Sequence, residues 1–305
     1  SRVEPVFDLS LNDVGCINCG QCIIHCPVGA LKERDDVDKV WEALDDPKKY
    51  VVVQSAPAVR AALGEMFGFP IGTNVTGKLA ASLRRIGFDK VFDTDFGADV
   101  TIMEEGTELI DRIQNNGVFP MITSCSPGWI KLMETYYPDL LPHLSSCKSP
   151  QAMEGALIKS HFAEMNHINP EDIVVVSVMP CVAKKFEVKR SELSEGGLPD
   201  VDIAITTREL ARMIKEARID FENVRDEDFD PYFGDYTGAA VIFGATGGVM
   251  EAALRTVADV LNDADLEAVD YEMVRGVDGI KTAEIAVTPD LTVKVAAASG
   301  GANLR

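Results

Sequence analysis

The sequence predicts a protein of the α/β class (α+β when the whole chain is counted), with a small cysteine-rich unit followed by one or two larger lobes. Three observations support this class. The chain has 305 residues, of which 46% are hydrophobic, so it can bury a sizeable core. Four of its seven cysteines lie close together near the start. Beyond them, apolar runs alternate with helical patterns, which indicates α/β layering on largely parallel sheets.

The cysteine run has the form C-x2-C-x2-C-x3-C-P and comprises Cys16, Cys19, Cys22 and Cys26. This spacing wraps one loop around an iron–sulfur cube and is typical of [4Fe-4S] ligation. Zinc sites usually take two C-x2-C pairs a dozen or more residues apart, so zinc is a weaker alternative and a disulfide weaker still. The cysteine before proline ligates the other cluster in two-cluster ferredoxins. We therefore expect residues 1–35 to form a ferredoxin-type module or half of a two-cluster unit.

Charge and hydropathy narrow the classes of partner. The formal net charge of −20 disfavours nucleic acid, because phosphate neutralisation requires clustered Lys and Arg. It also disfavours an anionic membrane surface, and no stretch approaches the ~20 unbroken apolar residues of a membrane helix. Four cysteines in one run indicate a reducing compartment. We predict a cytoplasmic protein with neither nucleic-acid nor membrane partners.

The elements follow in order along the chain. Apolar residues at helical spacing predict a linker helix within residues 36–48. Buried strands are predicted at Tyr50–Val53, Phe119–Thr123, Ile173–Met179, Asp202–Ile205 and Ala239–Phe243. Helices are predicted at about 58–66, 75–86, 100–114, 128–136, 151–165, 207–217 and 247–262. The acidic region 220–235 predicts an exposed loop, and the tail from Val293 begins like a strand.

Two further cysteines lie where predicted strands end. Cys125 lies in TSCSPGW and Cys181 in MPCVAKKFE. Carboxyl ends of strands in open α/β sheets are where ligands usually bind, so each thiol can lie at the mouth of a cleft. Taken singly, each is more simply interpreted as a small buried hydrophobe.

Taken together, TSCSPGW and MPCVAKKFE resemble two of the three signature motifs of the iron-only ([FeFe]) hydrogenases. CINCGQCIIHCPVGALKE resembles the ferredoxin-type module that precedes their catalytic domain, and FDTDFGADVTIMEEGTEL, LSSCKSPQ and GAAVIFGATGGVMEAALR add support. The resemblance runs from about Val14 to Leu304. It implies a two-lobed domain over residues 49–305 with an H-cluster, a [4Fe-4S] cube bridged by cysteine to a diiron site with CO, CN and azadithiolate ligands.

The resemblance also implies an activity and its partners. Members of the family interconvert protons, electrons and H₂, and a ferredoxin or another redox subunit exchanges the electrons. By resemblance Cys181 is a ligand of the cube, Lys184 faces a cyanide and Glu187 holds the lysine. The diiron pocket is lined by Pro57, Pro150, Gln151 and Met179. The turn at 244–249 either contacts the cofactor or is an ordinary strand–turn–helix junction; both interpretations stay open.

The family's proton path maps onto five residues. By resemblance, Cys125 takes the proton beside the azadithiolate nitrogen and passes it through Glu105, Ser145 and Glu108 towards Arg112. On a helix, the two glutamates and the arginine have the spacing i, i+3 and i+7, so they share one face. Without the resemblance, this face would be interpreted as solvated and acidic, with a salt bridge from Glu108 to Arg112.

The chain departs from the family pattern at three points. Ser126 stands where the motif usually has a cysteine that binds the cube, and serine is a poor iron ligand because its hydroxyl resists deprotonation. Either Cys125 is the metal ligand and the relay is altered, or Ser126 marks a variant site. Ala58 replaces a serine donor to cyanide. The last motif, with two cysteines, lies beyond Arg305, so the domain is expected to be truncated and inactive alone.

Three functions compete at this point. The leading prediction is a hydrogenase fed by the ferredoxin-type module. The alternative is a hydrogenase-like redox sensor or iron–sulfur carrier without H₂ turnover, which Ser126 and the absent motif favour. An electron-transfer module on a dehydrogenase-like domain is the third, and it leaves the surroundings of Cys181 and Lys184 unexplained. Cys147 is expected to contribute packing rather than ligation.

Overall fold

A four-stranded parallel sheet forms the centre of the protein. In the computed structural model, residues 6–11, 13–245, 247–262, 279–289 and 291–304 are described. The sheet has the order β2-β1-β3-β6. Its strands are β1 (Tyr50–Ser55), β2 (Lys90–Asp93), β3 (Ile173–Met179) and β6 (Ile203–Thr206). Their continuous apolar runs fit strands covered on both faces, and the α/β prediction with a parallel sheet is confirmed.

Helices cover both faces of the sheet, and others lie in the cysteine-rich unit and beside the hairpin near the end of the chain. They are α1 (Gln21–Ile24), α2 (Val37–Asp45), α3 (Val59–Ala62), α4 (Thr76–Ile86), α5 (Thr94–Gln114), α6 (Pro127–Tyr136), α7 (Pro150–Leu157), α8 (Ala163–Asn166), α9 (Lys184–Glu187), α10 (Thr207–Glu216), α11 (Gly238–Ile242) and α12 (Gly248–Asn262). A π-helical turn (Ile158–Phe162) joins α7 to α8. A capping box between Thr206 and Glu209 begins α10.

The two faces of the sheet bury separate cores because strand side chains alternate. Val51 and Val53 pack with Leu79 and Leu83 of α4. On the opposite face, Val52 packs in a cluster with Phe92, Val175, Ile158 and Phe162. A small antiparallel pair, β4 (Ser194–Glu195) and β5 (Leu198–Pro199), lies outside this sheet.

A second lobe forms around α12. Leu254 and Val257 of this helix pack with Ala283 and Val287 of an antiparallel hairpin. The hairpin strands are β7 (Ile280–Thr288) and β8 (Leu291–Ala298), so the strand predicted in the tail is present. The helix α12 also packs along α5, which therefore joins the two lobes.

Two predicted strands are wrong. Residues 239–243 fall largely in α11, where the Thr237 side chain accepts from Ala239 N and the alanine-rich run favours a helix. Residues 119–123 form only an isolated bridge between Ile122 and Leu144, since Pro120 lacks an N–H for a sheet ladder. The described residues therefore contain one parallel sheet rather than several.

Two other differences concern β2 and the acidic loop. The strand β2 was not predicted, because its four residues are too short for a clear periodic signal. The region 220–235 is a loop as predicted, but it is only partly exposed: Phe221, Val224 and Phe233 are buried. Beside β2, Asp230 N donates to Val91 O and Asp93 N donates to Phe233 O, so this loop covers the edge of the sheet.

Candidate functional site

The cysteine run forms a loop with hydrogen-bond donors directed at sulfur. Asn18 and Gly20 have positive φ angles of 56° and 74°, which turn the loop back on itself. Asn18 N donates to Cys16 Sγ at 3.4 Å. Hydrogen bonds from the backbone amides of Leu31, Val28 and Ala30 lower the pKa of Cys26. The donor set of four free thiols and backbone amides fits a [4Fe-4S] cube.

The sulfurs are not arranged as a preformed metal cage. Among the described residues, no three His, Cys, Asp or Glu side chains are placed to hold a metal ion. The fit to a cube therefore rests on the chemistry and spacing of the donors rather than on convergent geometry.

Replacing Cys22 by alanine is expected to abolish the module cluster, because a cube that loses one of its four thiolates is not stably held. The measurement is iron content after anaerobic reconstitution with iron and sulfide, together with the EPR signal of the reduced protein. Cys147→Ala is the matched control and should keep its iron. Equal iron in the Cys22 variant and the unaltered chain would contradict the assignment.

The module docks beside Cys181. The Tyr136 hydroxyl of α6 donates to Gly15 O at 2.9 Å. A Cβ at Gly20 would lie 2.5 Å from Val182 Cγ2, so the glycine permits the cluster loop to approach the residue after Cys181. The iron–sulfur module and the loop that carries Cys181 are thus in contact.

Cys181 and Ser126 line one cavity of about 580 Å³ between the module and the larger domain. Its other lining residues include Cys19, Trp129 and Ala302. Cys125 is not among the lining residues of this cavity. Ser126 and Cys181 therefore share this cavity, while Cys125 belongs to a neighbouring polar cluster.

Lys184 connects the loop that carries Cys181 with the polar cluster that contains Cys125. Its Nζ forms an ion pair with Glu187 Oε2 at 2.7 Å and donates to the backbone oxygen of Cys125 at 2.8 Å. Both charged side chains are largely buried. Lys184 thus contacts the backbone oxygen of Cys125 through Nζ and that of Cys181 through its own N–H, at 3.2 Å. The convergence of the two thiols on one metal pocket stays a prediction. A buried ammonium held by one carboxylate is suited to compensating an anionic cofactor.

The remaining predicted pocket residues gather at the carboxyl edge of the sheet. Pro57 follows β1, Pro150 begins α7 and Met179 ends β3. They are not among the residues that line the cavity beside Cys181, and their contact with a diiron site stays a prediction. In the predicted turn at 244–249, Thr246 lies outside the described residues, so its role also stays a prediction.

Hydrogen bonds join the residues of the predicted proton path in two groups. In the outer group, the Ser145 hydroxyl donates to Glu108 Oε2 at 2.7 Å, and Arg112 Nη2 donates to Glu108 Oε1 at 2.6 Å. Glu105 belongs to the inner group and is buried near the Ser145 hydroxyl, whose single hydrogen is donated to Glu108. Arg112 donates to Leu144 O as well, so the arginine is packed against the chain rather than free in solvent.

Thr123 is the member of this chain that sequence reasoning missed. Its Oγ1 lies 3.1 Å from Glu105 Oε1 and 3.7 Å from Cys125 Sγ, and therefore bridges the thiol and the carboxylate. No direct Cys125–Glu105 hydrogen bond is present in the described residues. One signal in the sequence was available: Thr123 lies two residues before Cys125. That signal is weak, because a threonine before a turn has many ordinary roles.

The two glutamates have opposite pKa shifts. Burial raises the pKa of Glu105, although hydrogen bonds from Thr123 and Ser145 oppose it. Burial alone would also raise the pKa of Glu108, but hydrogen bonds from Ser145, Arg112 and Ser146 outweigh it and lower that pKa. Burial likewise raises the pKa of the Cys125 thiol. The inner groups therefore favour holding a proton, and the outer carboxylate favours releasing one.

No described helix is both long and apolar enough to cross a bilayer.

Comparisons with known proteins agree with the geometry. The family "Iron only hydrogenase large subunit, C-terminal domain" matches residues 49–305, and a 4Fe-4S binding domain matches residues 13–32. The NADP-reducing hydrogenase subunit HndD of Solidesulfovibrio fructosivorans is 54% identical over 98% of this chain and 52% of its own length. The chain spans about half the length of the first curated relatives that it matches.

A solved structure of an [FeFe]-hydrogenase HydA1 variant from Chlamydomonas reinhardtii superposes with a TM-score of 0.77 at 40% identity, over 89% of this chain and 77% of that one. Cytosolic iron-sulfur assembly component 3 of Bos taurus is more distant, at 30% identity over 88% of this chain and 60% of its own length. The matched families imply a [4Fe-4S] cluster in the module and an H-cluster in the larger domain. From its cysteine module, its lysine-centred site and these matches, the chain belongs to the iron-only ([FeFe]) hydrogenase large-subunit family.

Proposed function

We propose that this chain is the H-cluster-bearing part of a hydrogenase that interconverts protons, electrons and H₂. The observation that carries the proposal is the pair of hydrogen-bonded groups on the predicted proton path, Cys125–Thr123–Glu105 and Ser145–Glu108–Arg112. The inner group lies beside Lys184, whose Nζ donates to the backbone oxygen of Cys125. A protein that only stores or senses clusters has no need of a buried proton path ending at its metal site.

The residues present fit the cofactor in part. Cys181 supplies a thiolate for the cube and Lys184 a cation for the cyanide ligands, while the cube needs four ligands. Ser126 is the weak donor of the set, since its hydroxyl is far harder to deprotonate than a thiol. We assign the cube-ligand position to Ser126 and the proton-relay role to Cys125, because only Ser126 lines the cavity with Cys181.

The H-cluster, when bound, supplies the redox chemistry of the H–H bond. The protein's residues hold and move the proton. Thr123 Oγ1 donates to Glu105 Oε1 and lies 3.7 Å from Cys125 Sγ, so the Cys125 thiol is proposed to pass its proton to this hydroxyl as Thr123 passes its own to Glu105. The Ser145 hydroxyl donates to Glu108 Oε2, and Arg112 holds that carboxylate at the outer end. Between the two groups, the Glu105 carboxyl, whose pKa is raised by burial, is proposed to hand its proton to the Ser145 oxygen.

Electrons are proposed to enter through the module, whose cluster loop contacts Val182, next to Cys181. The partner is proposed to be a ferredoxin or another redox subunit, and the location cytoplasmic. The free cysteines of the run support a reducing compartment.

The second candidate is a hydrogenase-like redox sensor or cluster carrier. Ser126 favours it, because a weakened cube ligand suits a protein that does not turn over H₂. The more distant likeness to the iron–sulfur assembly component gives it less support than the hydrogenases give the first candidate.

Infrared spectroscopy of the matured protein separates the two candidates. A hydrogenase should show stretching bands of metal-bound carbonyl and cyanide and evolve H₂ from reduced viologen. Cys181→Ala is expected to lose these bands and at least 100-fold of the activity, since the cube loses a thiolate. The module's iron should remain. Absence of the bands in the unaltered protein would move it to the sensor or carrier class.

A further inference from the structure

The side-chain nitrogen and oxygen of Gln151 each have a hydrogen-bond partner in the buried wall behind Lys184. Only 1% of the residue is exposed. Its Nε2 donates to Glu187 Oε2 at 2.6 Å, and its Oε1 accepts from Ser177 Oγ at 2.9 Å. Its backbone oxygen accepts from Gln54 Nε2 at 2.9 Å. With no water able to reach the amide, each partner must come from the protein.

The orientation of this amide depends on its two partners. A carboxylate only accepts hydrogen bonds, so Gln151 must turn its NH₂ group towards Glu187. Its carbonyl then faces Ser177 and requires a donor, which the serine hydroxyl supplies. Ser177 is 0% exposed, so nothing else replaces that donor once the hydroxyl is removed.

Ser177 and Gln54 face α7 from adjacent strands. They are register partners in the β1–β3 pair, and both interrupt valine-rich runs near the carboxyl ends of their strands. Thr94 Oγ1 donates to Gln54 Oε1 at 3.1 Å and thereby orients the second amide. The hydroxyls of Ser177 and Thr94 thus orient the side-chain amides of Gln151 and Gln54 at one edge of the sheet.

The consequence reaches Lys184 through Glu187. One oxygen, Glu187 Oε2, receives both Gln151 Nε2 and the Lys184 ammonium, at 2.6 and 2.7 Å. Holding the carboxylate from behind therefore sets where the ammonium lies. We propose that Ser177, paired with Gln54, is a positioning residue that locks the Gln151 amide onto Glu187 and so places the Lys184 ammonium. The part of this proposal that concerns the cofactor rests on the proposed function.

The chain contains only four glutamines, so the first test is direct. In the full chain labelled with [¹⁵N]glutamine, NMR should resolve four side-chain NH₂ pairs. Those of Gln54 and Gln151 should exchange with D₂O at least 100-fold more slowly than those of the exposed Gln21 and Gln114. A Gln151→Leu variant assigns the Gln151 pair.

In Ser177→Ala, exchange of the Gln151 pair is expected to accelerate at least tenfold while the exposed pairs do not change. The matched control is Ser82→Ala, which removes an equally buried hydroxyl that has no hydrogen-bond partner. It should leave the Gln151 pair unaltered. Unchanged Gln151 exchange in a folded Ser177→Ala protein would overturn the proposal.

Infrared spectra of the matured proteins test the connection to the cofactor. Ser177→Ala should shift the cyanide bands while Ser82→Ala does not. Cyanide bands that stay in place despite faster Gln151 exchange would overturn the step from Glu187 to Lys184. Absence of cyanide bands in the unaltered protein would refute the proposed function. The exchange result would then decide by itself whether Ser177 holds the Gln151 amide on Glu187.

Discussion

Replacing Thr123 by valine is expected to slow H₂ turnover by about a hundredfold, within the range attributed to a positioned proton-transfer group. Valine keeps the shape of threonine but removes the Oγ1 that lies 3.1 Å from Glu105 and 3.7 Å from Cys125. The thiol then loses its hydrogen-bond partner among the described residues. The measurement is viologen-linked H₂ production by the matured protein as a function of pH.

Thr123→Ser is the matched control, because it restores the hydroxyl and should recover most of the activity. The carbonyl and cyanide bands should be the same in all three proteins. The valine variant also loses a hydrogen bond that lowers the pKa of Glu105, so that pKa should rise further and any pH limit due to Glu105 should move upwards. Undiminished turnover in Thr123→Val would show that the proton bypasses this residue.

Replacing Glu154 by leucine is expected to stabilise the protein at pH 8 by about 1–3 kcal/mol, the usual cost of a buried polar group without partners. Glu154 is 0% exposed, and neither of its carboxyl oxygens has a hydrogen-bond partner of normal geometry. Burial, and then the charges of Asp93 and Asp95, raise its pKa well above 4.5. The measurement is urea unfolding between pH 5 and 9.

The expected pH dependence follows from the direction of the shift. A carboxyl whose pKa is raised in the folded state contributes stability that is fully present below the unfolded value, 4.5, and is lost as the pH rises through the folded value. The slope is at most about 1.4 kcal/mol per pH unit for one group. Glu154→Leu should remove that part of the slope.

Part of the slope should remain in the variant. Burial and the charge of Asp93 raise the pKa of Asp95 to about 7, while Arg60 opposes the shift. Burial also raises the pKa of Asp93, although the ion pair with Arg60 at 2.5 Å opposes it. Glu154→Gln is the control: it should flatten the slope equally but stabilise less, since its amide stays unpaired. A leucine variant less stable than the unaltered protein at pH 8 would contradict this account.

Much of the fold could be predicted because its signals are local. The run from Ile173 to Met179 is mostly apolar and β-branched, and it forms β3 within those bounds. The helix 207–217 carries its own capping box and amphipathic face, and α10 ends one residue earlier. The strand predicted at 239–243 was wrong because a short apolar stretch suits a strand or a helix. The Thr237 side chain caps the first turn of α11 and therefore favours the helix.

The residues of the candidate site also divide into those that could be predicted from the sequence and those that could not. The run from Cys16 to Cys26 could be recognised from its spacing, because a cube needs its thiolates at fixed separations along the chain. Roles for Cys181, Lys184 and the helix face of Glu105, Glu108 and Arg112 could be predicted only through the resemblance to the family.

Only the tertiary structure brought together groups far apart along the chain. It placed Thr123 between Cys125 and Glu105, joined Ser177 and Gln54 across a strand register to Gln151, and buried Glu154 near Asp93. The sequence alone determined which atoms are available as donors, acceptors and ligands. Which of them meet depends on how helices and strands pack, because a hydrogen bond requires a separation of about 3 Å that no spacing in the sequence specifies.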